Sequence, residues 1–439
     1  MYRCPMEQDP HPWRSPVLLG LVTTVATLVC WFVIDPHFYR GPLAVDGRPV
    51  WQAPEDVWKL MVASHWVVSG DIFKLFEVGF GKLCVTQEFA RTHYSPPQYL
   101  AGPLLPILLA PLAAIGEHFH LVELGAMLPA PLIPRPSMWP PYAAYATLIS
   151  AIPFTYAVRS LAVELGVRAK LVRIQIVAVL MGFIPMVYIV GHFEDALACA
   201  FVLLSCRDLG RKRWIRSAVM LGIAILFKQW AWLAVPLFAV VTPKERRLRF
   251  LVPSVLVPGA YFALTLAIDW CAASHALFNA ETSPQLGHRA VWVSSQALSA
   301  TAGPYRALLF VAVLAVAWMM RGRSDLLGVT AALGVTLIAR FAFEPVLFVY
   351  YIAPGVVTLF LFEMARSHRV WEWRLVPLVA VWYCIFIGWR SAAPVWWAVS
   401  GAMLVVVIWP AVGAILHAPE GTASEVAREQ NDAPGGVPG

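Results

Sequence analysis

The chain has 439 residues, of which 59% are hydrophobic and only 13% charged. An ordinary soluble domain carries about 25% charged residues, so this chain lacks the charge to cover a water-facing surface, and its excess apolar surface requires a bilayer. The net charge of +7 comes from basic residues in short clusters between apolar runs. That is a juxtamembrane pattern and not a basic face with interleaved aromatics, so no nucleic-acid partner is expected.

Apolar runs recur near 16–35, 100–115, 141–163, 174–190, 194–206, 217–227, 230–241, 250–268, 304–320, 326–343, 346–364, 375–390 and 395–416, with an ambiguous stretch near 121–134. The first follows a polar start containing Arg3 and Arg14, without a small-residue cleavage site, and reads as an uncleaved signal anchor. A spanning helix needs about 17–25 residues. Several runs are shorter, which implies broken or re-entrant helices. The fold expected is an all-α, polytopic transmembrane bundle of about 12–14 membrane segments, forming a single domain over 1–416. The polar tail 417–439, rich in Gly, Pro, Glu and Ala, is expected to be disordered and cytoplasmic.

Between the first two runs lies the longest non-spanning stretch, 36–99. From Val57 to Phe80 it is studded with Trp58, Leu60, Met61, Trp66, Val67, Ile72, Phe73 and Phe76. It reads as amphipathic helices lying on the outer membrane face, in contact with membrane lipids.

Loop charges set the sidedness. One set of loops carries Arg168, Lys170, Arg173, Arg207, Arg211, Lys212, Arg213, Arg216, Lys244, Arg246, Arg247, Arg249, Arg321, Arg323, Arg366, Arg369 and Arg374. The alternate loops hold only Lys228, Arg289, Arg340 and Arg390. The first set is expected to be cytoplasmic. Both flanks of 217–241 are basic, so this segment should bend back near Lys228 and Gln229. Parity leaves one conflict: an odd number of crossings is required between 100 and 163, where two clear runs stand. Of the seven cysteines, Cys84 and Cys271 fall in loops on the same outer side, leaving one disulfide between them open.

Polar residues at membrane depth cost about 2.5–3.5 kcal/mol each and need a reason. Here they collect on the outer side. Glu55 and Asp56 open a helix-like stretch, as helix caps do, or with Asp56 as a general base at the membrane surface. Asp71 follows. His93 and Tyr94 precede Pro96-Pro97, an ordinary helix start that leaves both aimed at the interface. His192, Glu194 and Asp195 lie within four positions at a junction of two apolar runs. A solvated hairpin tip is the bland reading and a substrate-binding polar cluster the preferred one. Lys228, beside Gln229, sits at the expected break, either snorkelling or binding an anion. Arg340 and Arg390 each end an outer-side run, as interface anchors or as ligands of a phosphate ester. Tyr350 and Tyr351 can line the same cavity. No P-loop, GxGxxG, HExxH or GxSxG motif is present, so any driving energy must arrive with an activated substrate or an ion gradient.

Together these features resemble the GT-C superfamily of polytopic glycosyltransferases, in particular the bacterial mannosyl- and arabinosyl-transferase types that use polyprenyl-phosphate sugars. Asp56, Gly70 and Phe73 are similar to the family's layout in its first outer loop. Tyr94-Ser95-Pro96-Pro97 resembles its Tyr-Pro-Pro helix start. Gly191 to Leu197 and Gly222 to Lys228 resemble two further helix motifs. Glu55-Asp56 stands where an Asp-x-Asp would, so no metal ligand and no cofactor is assigned. The resemblance implies an inverting transfer of a sugar, mannose favoured, from a polyprenyl-phosphate donor to a lipid or glycan acceptor. In it Asp56 is the base, Lys228, Arg340 and Arg390 face the phosphate, and His192, Glu194 and Asp195 hold sugar or acceptor. The rival reading is a secondary transporter or flippase of lipid-linked sugars. The excess of arginine over lysine points to a bacterium, hence to a bacterial plasma membrane.

Overall fold

The computed structural model describes residues 14–34, 55–76, 101–119, 139–167, 171–188, 191–278, 304–343, 349–366 and 394–416. Every regular element among them is helical. The helices are α1 (Arg14–Val29, continuing in wider π turns over Cys30–Ile34), α2 (Glu55–Val68), α3 (Leu104–His118), α4 (Trp139–Glu164) and α5 (Leu171–Ala178, continuing as π turns over Val179–Tyr188). Then come α6 (Phe193–Gly210), α7 (Trp214–Phe227) and α8 (Ala234–Val241). Helices α9 (Arg247–Leu251) and α10 (Val257–Ile268) are joined by a π turn, and α11 is Trp270–Phe278. The last four are α12 (Pro304–Met319), α13 (Leu326–Phe343), α14 (Val349–Arg366) and α15 (Pro394–Leu416). Three stretches, Pro141–Glu164, Leu171–Tyr188 and Lys244–Ile268, are long and apolar enough to cross a membrane. Leu18, Val22 and Val25 on α1, Leu256, Leu264 and Ile268 on or beside α10, and Val311, Leu314 and Trp318 on α12 face outward uncovered. Exposed apolar stripes of that length mark a surface made to meet a membrane or a partner.

Two polar layers define the ends of this bundle. At one, Arg207 is buried near the end of α6. Its guanidinium donates to Asp208 Oδ1 at 2.7 Å and to Ser160 Oγ at 2.6 Å. Arg216 meets the other Asp208 oxygen at 2.9 Å, and Arg211 pairs with Glu164 at 2.6 Å. We call this the arginine end. The opposite end is marked by His192. The fifteen residues of helical rise between His192 and Arg207 separate the layers by about 22 Å.

The helices thread between these ends. Thr155 Oγ1 donates to Pro16 O at 2.9 Å, and Trp31 Nε1 donates to Tyr188 O at 2.9 Å, so α1 runs toward the histidine end, antiparallel to α4. Helices α6 and α7 are clamped by reciprocal bonds, Ser205 Oγ to Ser217 O at 2.8 Å and Ser217 Oγ to Ser205 O at 2.9 Å. In an apolar bundle such hydrogen bonds supply an attraction that hydrophobicity between lipid-like surfaces cannot. Leu209, Trp214, Val241 and Leu326 line one small recess at the arginine end. The start of α7 and the end of α8 therefore lie together, and 214–241 is a hairpin that turns back at Lys228. Arg323 donates to Ala414 O and Ile415 O at 3.0 and 2.7 Å. The basic loops 211–216, 244–249 and 321–323 thus all gather at the arginine end.

Helix α3 takes a different course. At its start, Gly102 N donates to Phe227 O at 3.1 Å, at the tip of the hairpin. At its other end, Glu117 contacts His65 and lies beside Tyr142. Tyr142 precedes Tyr156, an Arg207 partner at 3.4 Å, by fourteen residues, so it stands level with His192. Both ends of α3 therefore sit at the histidine end, and the helix lies across the bundle instead of running through it. Between 100 and 163, α4 is the one described helix that runs from the histidine end to the arginine end, while the stretch near 121–134 lies outside the described residues. Helix α2 packs along α3. The His65–Glu117 contact makes the pair parallel, which carries the first turn of α2, Glu55 and Asp56, toward the hairpin tip.

The expected helices from Val57 to Phe80 are shorter than the apolar pattern suggests. Helix α2 stops at Val68, and Gly70 adopts φ +87° in the turn that follows, a left-handed conformation that favours glycine. Beyond it, Tyr261 OH donates to Ile72 O at 3.1 Å. Cys271, at the histidine end, is disulfide-bonded. Cys30, Cys199 and Cys206 are free thiols, and Cys84 lies outside the described residues.

The docking of α3 leaves no room at Gly102, where an added Cβ would come within 1.9 Å of the Leu226 carbonyl oxygen. Gly102→Ala is expected to destabilise by about 2 kcal/mol or more, in the range of overpacking. Gly259→Ala on α10, where a Cβ meets open space, is expected to be neutral or slightly stabilising. Thermal unfolding of the two purified variants in detergent checks both.

Candidate functional site

The site begins with two local departures from helix geometry. Gly191 takes φ +76°, which turns the chain out of the π turns and starts α6 at Phe193. His192 caps that helix, and Glu194 and Asp195 occupy its first turn, where the N-terminal end of the helix dipole favours carboxylates. Across from them, α7 ends because Lys228 adopts extended backbone angles, φ −150° and ψ 130°. The chain restarts in the tight turn Gln229–Leu233. The Phe227 carbonyl freed by this break accepts the Gly102 N–H, so the backbone group does not go unsatisfied.

Lys228 projects into the carboxylates. Its Nζ lies 2.9 Å from Glu194 Oε1, 3.4 Å from Asp195 Oδ2 and 3.4 Å from His192 Nδ1. His192 Nδ1 is itself 2.9 Å from Glu194 Oε1 and 3.2 Å from Asp195 Oδ2. Trp230 Nε1 donates to Asp195 Oδ1 at 2.6 Å. All of these residues are buried. Arg340, also buried, brings a second positive charge to bear on Asp195. Its guanidinium stacks 4.0 Å over the Tyr351 ring. Two carboxylates thus face one ammonium and one guanidinium, a balance that burial demands. Glu194 Oε2 is buried without a hydrogen-bond partner among the described residues. It is an acceptor in place for a donor from outside.

The structure therefore joins His192, Glu194, Asp195, Lys228 and Arg340, drawn from α6, the hairpin tip and α13. Gln229 adjoins them, half-buried. Helix α2 opens at Glu55 and Asp56, and the α2–α3 pairing sets that end of the helix toward this tip. Tyr350 belongs to the first turn of α14, next to Tyr351. Asp71 stands apart: it pairs with Lys74 at 3.6 Å, both side chains being 42% exposed. His93, Tyr94 and Arg390 lie outside the described residues. Sequence reasoning missed Trp230. Its only trace was a tryptophan two residues past the break, in a stretch already rich in aromatics.

His192, Glu194 and Asp195 offer ligand atoms within 4.8 Å of one another, close enough in principle to hold a metal ion. No protein-family model matches the sequence, and no curated protein matches it. What the described residues establish is an all-helical architecture with three stretches long and apolar enough to cross a membrane, and a buried ion cluster at a helix break.

Removing the Trp230 donor leaves an Asp195 oxygen short of its charge-assisted hydrogen bond. Trp230→Phe is expected to lower stability by about 1.5–3 kcal/mol. Asp71→Asn, on the exposed pair, is expected to change it by less than about 0.5 kcal/mol. Chemical denaturation followed by intrinsic fluorescence, with a tryptophan-independent probe for Trp230→Phe, separates the two.

Proposed function

We propose that this protein is an inverting, multi-pass membrane glycosyltransferase that moves a sugar, mannose favoured, from a polyprenyl-phosphate donor to a lipid or glycan acceptor. The observation that carries the reading is the buried His192–Glu194–Asp195–Lys228–Arg340 cluster at a helix break, with the first turn of α2 directed toward it. A polar centre at bilayer depth suits a lipid substrate whose head is charged and whose tail is hydrocarbon. The gathering of basic loops at the arginine end supports a cytoplasmic placement of that end. The disulfide-bonded Cys271 supports an oxidising, extracytoplasmic surroundings for the other.

In the reaction, Asp56 takes the proton of an acceptor hydroxyl. The oxygen attacks the anomeric carbon, the bond from that carbon to the phosphate oxygen breaks on the opposite face, and polyprenyl phosphate leaves. The phosphate gains charge as the bond breaks, and Lys228, Arg340 and Arg390 stabilise it there. His192, Glu194 and Asp195 accept hydrogen bonds from hydroxyls of the sugar or acceptor, with Glu194 Oε2 available for the first such bond. Gln229 adjoins the cluster, and Glu55, His93, Tyr94 and Tyr350 are the further residues proposed to meet the substrate; Asp71, paired with Lys74 away from the cluster, is left out of the site.

Transfer of radiolabelled mannose from polyprenyl-phosphate mannose to membrane lipid acceptors is the test. With purified protein, Asp56→Asn is expected to lower the rate by about 10²–10⁴, the range of general-base catalysis, while leaving the thermal unfolding profile unchanged. Unaltered transfer removes Asp56 from the reaction. Absence of transfer from every polyprenyl-phosphate sugar, with uptake or flipping of the same lipid in proteoliposomes, replaces the enzyme by a transporter.

A further inference from the structure

We propose that the Lys228 ammonium is a tethered cation standing where a divalent metal ion would bind, so that the cluster is built to work without metal. One imidazole and two carboxylates brought within 4.8 Å are a donor set for zinc or manganese. Lys228 Nζ stands among these donors, 2.9 Å from Glu194 Oε1 and 3.4 Å from both Asp195 Oδ2 and His192 Nδ1.

Occupancy by the ammonium and by a metal exclude one another. A metal ion bonds carboxylate oxygen and imidazole nitrogen at about 2.0–2.2 Å, and an ammonium at hydrogen-bond distance from the same atoms fills that space. Charge gives the same answer. Lys228 and Arg340 already balance Glu194 and Asp195, and a buried divalent ion added to them would be uncompensated. The backbone that carries the ammonium is held in place by the Lys228 N–H to Ala224 O at 2.9 Å and by the Ala231 N–H to the Lys228 carbonyl at 3.2 Å. The unpartnered Glu194 Oε2 shows that the carboxylate retains coordinating capacity that the lysine does not consume. On the glycosyl-transfer reading, the chain itself carries the cation that faces the leaving phosphate. The placement of the lysine holds whether or not that reading does.

Metal binding is read here by thermal unfolding in detergent, with millimolar Mn2+, Zn2+ or EDTA, because a ligand of the native state raises the unfolding temperature. The wild-type midpoint is expected to be the same in all three. Lys228→Met empties the position while keeping most of its volume. It is expected to melt several degrees lower in EDTA and to recover with Mn2+ or Zn2+, and Lys228→Met/Glu194→Gln is expected not to recover. Two results overturn the proposal: a wild-type midpoint raised by either metal, with the rise lost in Glu194→Gln, or a folded Lys228→Met that neither metal stabilises. Where Lys228→Met does not fold, the wild-type comparison decides. None of these readouts measures sugar transfer, so a failure here is distinct from a failure of the glycosyltransferase assay.

Discussion

The ion pairing of Lys228 with Glu194 and Asp195 is the constraint around which the histidine end is arranged. For the ammonium to reach the start of α6, α7 has to stop at Phe227 and the chain has to turn out of helical angles. That break frees the Phe227 carbonyl, which in turn anchors the backbone of Gly102 and hence α3. A buried ion pair of this kind is a poor source of stability, because desolvation offsets most of the attraction. Its presence is better explained by what a charged centre does at that depth than by any strengthening of the fold.

The two polar layers contrast in how completely they are satisfied. At the arginine end, Asp208 receives Arg207 on one oxygen and Arg216 on the other, Arg207 also reaches Ser160, and the Ser205–Ser217 clamp closes on itself. The Arg216 contact is an ion pair that leaves Asp208 Oδ2 without a hydrogen bond, but each charged group there faces an opposite one, which suits a structural role. At the histidine end, a buried carboxylate oxygen of Glu194 has no partner among the described residues, and the charges come from three separate parts of the chain. A group held ready but unused is what a binding site needs and what a purely structural layer avoids.

Much of this was readable before any coordinates. The turn at Lys228 was expected from the basic residues on both flanks of 217–241, and the chain does fold back there. The grouping of His192, Glu194 and Asp195 followed from their spacing at a helix junction. The orientation of α3 was not readable. Leu104 to His118 is apolar on nearly every face, and hydropathy is the same for a helix that crosses and for one that lies flat. Only the contacts of Gly102 and Glu117 distinguish the two. The extent of α2 was misjudged for a related reason, because the hydrophobic pattern continues through Gly70 while the backbone does not. The hydrogen bond of Trp230 to Asp195 is likewise a product of packing and leaves no periodic signal.

The seat of Gly102 on the hairpin tip also has a bearing on the order in which the molecule is assembled. The glycine leaves the ribosome more than a hundred residues before Leu226 and Phe227, and the surface that receives it does not exist until α7 and α8 have been made and folded back on each other. During that interval the α2–α3 pair has only itself and the nearby end of α4 to pack against. The part of the chain that brings Asp56 toward the cluster is thus among the first synthesised, yet it waits for the hairpin before it can be locked in place. The ion cluster is completed later still, when α13 delivers Arg340.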